Sequence, residues 1–199
     1  LQGSNGVLDI GNDGLTQLSN TVLLVLLVGL GVACLGTAIG WLTACCNFAG
    51  KRWLTLAQLL PLATPAYLQA AVLTDLGARA GVQINGLSWC IAVLTLANVP
   101  YVVLLSRDNF RLSGRRQLEA SRSLGLGAWR SFFRVNLPLA IPAITAGVAL
   151  AGMEVVNEYG AVELLALPTL STGLLERWQG QDAPPAAVAL ALPPIAAVP

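Results

Sequence analysis

Glu119–Pro138, EASRSLGLGAWRSFFRVNLP, is the stretch whose reading decides the fold. It lies inside the longest charged segment of a chain that otherwise reads as membrane. Seven of the 11 Lys and Arg residues fall between Arg107 and Arg134. Apolar runs flank the segment on both sides, so residues 107–137 are expected to form a loop held at one membrane face. Two short helical patterns occur inside it. The first has Ser113 as N-cap and runs to about Leu124. The second places Trp129, Phe132 and Phe133 on one face and Arg130 and Arg134 on the other. Gly125-Leu126-Gly127 separates the two, because Gly125 adopts backbone conformations closed to other residues. Pro138, with no N–H to donate, suits the first turn of the following helix.

The spacing resembles the EAA loop of the membrane subunits of bacterial ABC importers. That pattern is Glu-Ala-Ala, three residues, Gly, nine residues, Ile, one residue, Leu-Pro. Here Glu119-Ala120-Ser121, Gly125, Val135 and Leu137-Pro138 keep every interval. Ser121 replaces Ala and Val135 replaces Ile. Single positions mean little in a chain rich in Ala, Leu and Gly; the complete spacing, in a basic loop between apolar spans, is what carries the resemblance.

Composition agrees with a membrane class. Apolar residues make up 55% and charged residues 11%, against a usual charged share of about 25%. The chain has no His, which removes His-based catalysis and His metal sites. Cys34, Cys45, Cys46 and Cys90 form no CxxC pair and sit in apolar runs, so they read as small membrane-helix residues. The chain lacks an initiator Met and ends in apolar sequence, as a fragment or one half of a longer permease would.

Leu1 to Gln17 is polar and rich in Gly, Asn and Asp, with no basic region of a signal peptide. About Leu18 to Cys46 is expected to form a first span, long enough for a hydrocarbon core of about 30 Å. Gly29, Gly31, Gly36 and Gly40 recur along it, and small residues let membrane helices approach closely. Trp53 to Thr74 is a second span, kinked or interrupted at Pro61 and Pro65. Asp75 to Asn85 reads as a short polar loop. Gly86 to Ser106 is a third span, and Pro138 to about Val156 a fourth. Leu167 to Pro185 reads as an outer segment, and Ala186 to Pro199 as the start of a fifth span. Nine basic residues, Lys51, Arg52 and the seven of the loop, fall on one face; Arg79 and Arg177 fall on the other. The positive-inside rule then places the loop in the cytoplasm and the N-terminal tail outside.

The sequence carries no energy source. There is no GxxxxGK[ST] phosphate loop, and Gly125 and Gly127 make no dinucleotide fingerprint. No Ser/His pair, HExxH or metal-spaced Cys cluster occurs, and no cofactor is expected. Work must then come from a partner ATPase. In the EAA family the loop forms coupling helices that sit in a groove of the ATPase subunit. The resemblance implies a polar or ionic contact for Glu119, a bend at Gly125, and apolar contact from Trp129, Phe132 and Phe133. Packing of the same three aromatics against the protein's own bundle is an equal reading of the residues.

NTVLLVLLVGLGVACLGTAIGWLTA, the Pro-rich LLPLATPAYLQAA, and GMEVVNEYGAVELL after the loop look like the ferric-iron type of permease. Its pattern after the fourth span appears here as Glu154, Glu158, Tyr159 and Gly160. Glu154 and Glu158 are spaced i, i+4, which puts them on one face of a helix. Ionisable groups at membrane depth face a cavity or a partner, so Glu154, Asn157, Glu158 and Tyr159 are candidate solute-path residues. A helix end exposed at the outer interface explains them equally.

The resemblance implies an all-α, polytopic transmembrane helical bundle of the EAA-loop ABC importer type, a single permease domain over residues 1–199. Its expected place is the bacterial inner membrane, with several passes. Its expected partners are a cytoplasmic ABC ATPase subunit, an extracytoplasmic solute-binding protein, a second permease half or a second copy, and the lipid bilayer; no nucleic acid is expected. Ferric iron is the expected solute. Thiamine, molybdate, sulfate and polyamine remain open for the same machinery. A passive channel or a membrane assembly protein is the alternative of another class.

Overall fold

In the computed structural model, residues 3–114, 125 and 127–179 are described. Among them the regular structure is entirely helical. In chain order the helices are α1 (Gly3–Cys45), α2 (Lys51–Ala57), α3 (Leu60–Ala63), α4 (Ala66–Arg79), α5 (Leu87–Asn109), α6 (Ala128–Ser131), α7 (Leu137–Asn157), α8 (Gly160–Leu164) and α9 (Leu170–Gln179). Two π-helical turns, Phe110–Gly114 and Phe132–Asn136, adjoin α5 and α7. Three stretches are long and apolar enough to cross a membrane: Gly14–Cys45, Leu87–Leu112 and Trp129–Asn157. The count rises to four if α2–α4 form one broken span.

The chain divides into two compact units. One comprises Leu27–Pro65 and Ala92–Val155. Here α1 and α5 run in parallel, and glycines set their separation. A Cβ placed on Gly31 would meet Thr95 at 2.9 Å, and one on Gly36 would meet Val102 at 2.6 Å. Gly40 lies equally close to Ser106, whose Oγ donates to the Gly36 carbonyl at 3.5 Å. The glycine series in the first span is thus a contact face, as small residues in membrane helices are expected to be. α7 runs antiparallel to α1: Gly29 faces Val148, while Ala44 packs with Ala140 further along. Gly147 also fits tightly: a Cβ added there would lie 2.8 Å from the Val102 Cα.

The expected second span is in pieces, Lys51–Ala63 and Ala66–Arg79, bent by 101° at the break between them. α3 begins Leu60-Pro61, with proline in the first turn where a missing N–H costs nothing, and it stops after four residues. Thr64 is extended, with φ −122° and ψ 127°, as the residue before a proline prefers. Pro65 thus breaks the span where a kink was one of two expectations.

The other unit comprises Leu1–Leu26, Ala66–Ile91 and Val156–Pro199. Its buried residues include Leu24, Ala70, Cys90, Val162 and Leu165. α4 packs on α8, and Gly160 lets the backbone approach Tyr67, whose Cβ would lie 2.9 Å from an added Cβ. The turn before α9 is tied to α1 by two bonds. Asn20 Nδ2 donates to the Pro168 carbonyl at 3.0 Å, and the Leu170 N–H donates to Thr21 Oγ1 at 3.0 Å. Thr169 caps α9 reciprocally with Thr172, the Thr169 N–H donating to Thr172 Oγ1 at 2.8 Å.

Several boundaries differ from the sequence expectation. The polar N-terminal stretch is helical from Gly3, continuous with the first span. Residues 75–79 belong to α4 rather than to a loop, and Arg79 pairs with Asp75 at 2.8 Å one turn away. The fourth span does not open at Pro138: helix runs without a break from Trp129 to Asn157. Proline at the second residue of α7 lacks only one donor, and the π turn before it accommodates that loss. The expected fifth span, residues 186–199, lies outside the described residues, as does most of the first helical pattern of the loop.

Candidate functional site

Both arms of the basic loop end in the first-named unit, beside the C-terminal end of α1. Ala44, Phe110, Phe132 and Ala140 form one buried cluster there, with Trp41, Cys45, Leu137 and Ile144 packed against it. Lys51 and Arg52 follow α1 directly, so they share this end with Arg107, Arg111, Arg130 and Arg134. The grouping of basic residues on one face, used for the orientation argument, has this geometry beneath it. Lys51 is itself anchored, its Nζ donating to the Cys46 carbonyl at 2.9 Å.

The aromatic trio of the loop divides. Phe132 is buried, 8% exposed, with its ring centroid 4.9 Å from Trp41 and 6.3 Å from Phe110. It is a core residue of the bundle. Trp129 and Phe133 are 70% and 58% exposed, and their rings stack at 6.3 Å with 19° between planes. Four residues apart, they form one outward apolar step flanked by exposed Arg130 and Arg134. Helical spacing alone put all three on one broad face; Trp129 also stands 6.2 Å from Trp41, but it is Phe132 that joins Phe110 in the buried cluster. Neither Trp41 nor Phe110 was marked by the loop pattern.

Gly125 has φ +81°. The left-handed conformation expected of it is present. Among the described residues no heavy atom lies within 4 Å of where its Cβ would be, and the left-handed conformation itself favours glycine. Leu137 is half-buried against the aromatic cluster and Pro138 is exposed. Glu119, Ala120 and Ser121 lie outside the described residues. Asn136, the unassigned position between Val135 and Leu137, is 1% exposed, and neither of its amide atoms has a hydrogen-bond partner.

At the far end of α7, helix runs to Asn157, and Glu158 and Tyr159 form the link to α8. Glu154 and Asn157 are exposed. Glu158 is half-buried and turned to the next helix: its Oε1 accepts from the Ala161 N–H at 2.9 Å, and its carbonyl accepts from Ser171 Oγ at 3.0 Å. A carboxylate on the free N–H groups of a helix start is favourable. Tyr159, half-buried, occupies the residue before α8. Among the described residues no cluster of three or more His, Cys, Asp or Glu could hold a metal ion.

Residues 36–198 match the family described as the binding-protein-dependent transport system inner membrane component. The chain belongs to that family. This inner membrane component is 30% identical over 163 residues to the Fe(3+)-transport system permease protein FbpB 2 of Haemophilus influenzae, covering 81% of this chain and 31% of that protein. It is 32% identical to the molybdenum transport system permease protein ModB of Escherichia coli, over 63% of this chain and 60% of that one. It is 33% identical to a probable sulfate transport system permease protein of Chlorokybus atmophyticus, over 66% of this chain and 50% of that one. The chain thus spans between about a third and three fifths of these relatives' lengths. A solved chain described as an amino acid ABC transporter with histidines has the same fold, with a TM-score of 0.72 at 17% identity over 94% of this chain and 88% of that one. The all-α membrane bundle expected from the sequence is therefore the fold of this family.

Proposed function

We propose that this chain is the membrane-spanning permease of an ATP-driven importer, and that residues 107–137 are its coupling loop to a separate ATPase. The observation that supports this most is the construction of the loop's second arm. Gly125 bends in the left-handed region, α6 follows, and the exposed Trp129–Phe133 step and two arginines stand at the end of the bundle. Phe132 roots that arm among Trp41 and Phe110, at the start of the helical run that leads into α7. Glu119 supplies the polar contact to the ATPase in this reading. Since α1, α5 and α7 each contribute to both units, residues 1–199 are read as one permease domain. The nine basic residues place the loop in the cytoplasm of a bacterial cell, an extracytoplasmic binding protein delivers solute on the other side, and a second permease half completes the path.

Ferric iron is the solute we infer. Its support is the relative named for Fe(3+) transport, which aligns over the largest share of this chain among those described above. The carboxylate argument for a cation is reduced, because Glu158 is engaged by the start of α8 and only Glu154 stands free of that bond. Similarity at 32–33% to molybdenum and sulfate permeases favours an oxyanion as the second reading.

Reconstitution of the chain with its ATPase and binding protein, assayed with radiolabelled ferric iron, molybdate and sulfate, tests both levels. ATP-dependent uptake of iron alone is expected. Uptake of an oxyanion alone replaces the solute and keeps the machine; ATP-independent flux of any probe overturns the importer reading in favour of a channel. Glu119→Lys, in the same assay, is expected to abolish uptake while membrane insertion is unchanged.

A further inference from the structure

The two turns that join the loop to the bundle, Phe110–Gly114 and Phe132–Asn136, are both π-helical and pack on each other, with Phe110 and Phe132 in contact. A π turn closes i→i+5 bonds, holds one residue more than the helix on either side, and concentrates at functional positions. The second turn lies within an otherwise unbroken helix from Trp129 to Asn157. Asn136 closes it, buried to 1% exposure with Nδ2 and Oδ1 both unbonded. In sequence it stands next to Leu137, which packs against the buried cluster of Phe110 and Phe132. A buried amide left unbonded is destabilising, and an apolar side chain of the same shape would remove the penalty. A joint with a single setting would thus be better made with leucine.

We propose that the π turn Phe132–Asn136 is an adjustable joint between α6 and α7, and that Asn136 is its positioning residue. The amide lacks a partner in this setting and acquires one when the extra residue is passed out of the turn. Each residue moved through the turn rotates α6 against α7 by about 100° and shifts it by about 1.5 Å. Such a motion would carry Trp129 and Phe133 around the helix axis while α7 stays packed on α1 through Gly29 and Ala140. In the importer reading, on which the consequence for transport rests, the joint lets the ATPase move the loop without dragging the whole span.

The test has two readouts. Spin labels at Arg130 and Leu150, with the four native cysteines replaced, report the α6–α7 geometry in lipid nanodiscs by pulsed dipolar spectroscopy. Wild type is expected to show two separations, and Asn136→Leu to show one. In the reconstituted complex, Asn136→Leu is expected to lower ATP-driven uptake at least tenfold while the chain inserts in the membrane at the wild-type level, and Asn136→Thr, which keeps a hydrogen-bonding group, to retain most uptake. Asn136→Ala, which removes the amide without adding bulk, serves if the leucine variant fails to insert, with the same loss expected. A single separation in wild type, or undiminished uptake by the leucine and alanine variants where wild type transports, overturns the proposal. If wild type transports none of the three probes the importer reading fails instead, and the spin-label separations decide the joint alone.

Discussion

Gly125 at φ +81° has no atom of the described residues within 4 Å of an added Cβ, and its left-handed conformation is what a replacement must adopt. The left-handed region costs an L-residue about 1–2 kcal/mol, more for a β-branched side chain, whereas asparagine visits it readily. Gly125→Val is therefore expected to insert normally and lose uptake and solute-stimulated ATP hydrolysis, while Gly125→Asn keeps most of both. Equal activity in the two variants would show that the bend is not used. Glu158 allows a similarly sharp contrast. Its bond to the Ala161 N–H needs only an acceptor, which glutamine supplies. Glu158→Gln should unfold within a degree or two of wild type in detergent, whereas Glu158→Ala loses a cap worth about 0.5–2 kcal/mol and should unfold measurably lower. Selective loss of uptake in the glutamine variant, with stability unchanged, would return Glu158 to the solute path.

Among the elements, the parallel pair α1/α5 depends on glycine at specific steps. An added methyl at Gly36 would lie 2.6 Å from the Val102 Cβ, whereas at Gly29 the nearest atom, Val148 Cγ1, is at ordinary contact, 3.5 Å. Overpacking a well-fitted contact costs about 1–3 kcal/mol. Gly36→Ala is accordingly expected to lower thermal stability of the purified chain by several degrees, and Gly29→Ala to leave it unchanged. If both behave alike, the helices do not meet along this glycine register. The same comparison explains how the glycine series reads from sequence: the repeat announces a close face, but not which glycine meets backbone and which meets a yielding side chain.

For the whole molecule, orientation is the property with the widest consequence. Both basic clusters stand at the end of the bundle marked by Ala44, Phe110 and Phe132, so they must lie on one side of the membrane. A protease-cleavable tag inserted within residues 114–118 is expected to be protected in sealed right-side-out vesicles, and one attached ahead of Leu1 to be cut. Cleavage of the internal tag from outside would invert the topology and remove the ATPase from reach of the loop. Exposed leucines such as Leu23, Leu26 and Leu30 line one stripe of α1; such a stripe suits lipid or another membrane helix and would be unfavourable in water.

Class, the first, third and fourth long apolar stretches, the glycine contact face of α1 and the left-handed bend at Gly125 were legible from residues alone. Each follows from local chemistry: length of apolar run, absence of a Cβ, spacing of charge. Helix ends were less legible. Ala166 turns the chain after α8 at φ 54° with no glycine to mark it, and the continuous helix through Leu137-Pro138 contradicts the usual meaning of proline because a π turn takes up the missing bond. The enclosure of Phe132 rests on Trp41 and Phe110, 91 and 22 positions before it. Periodicity within one helix assigns a face. Only packing between helices distant in sequence decides which side chain on that face is enclosed.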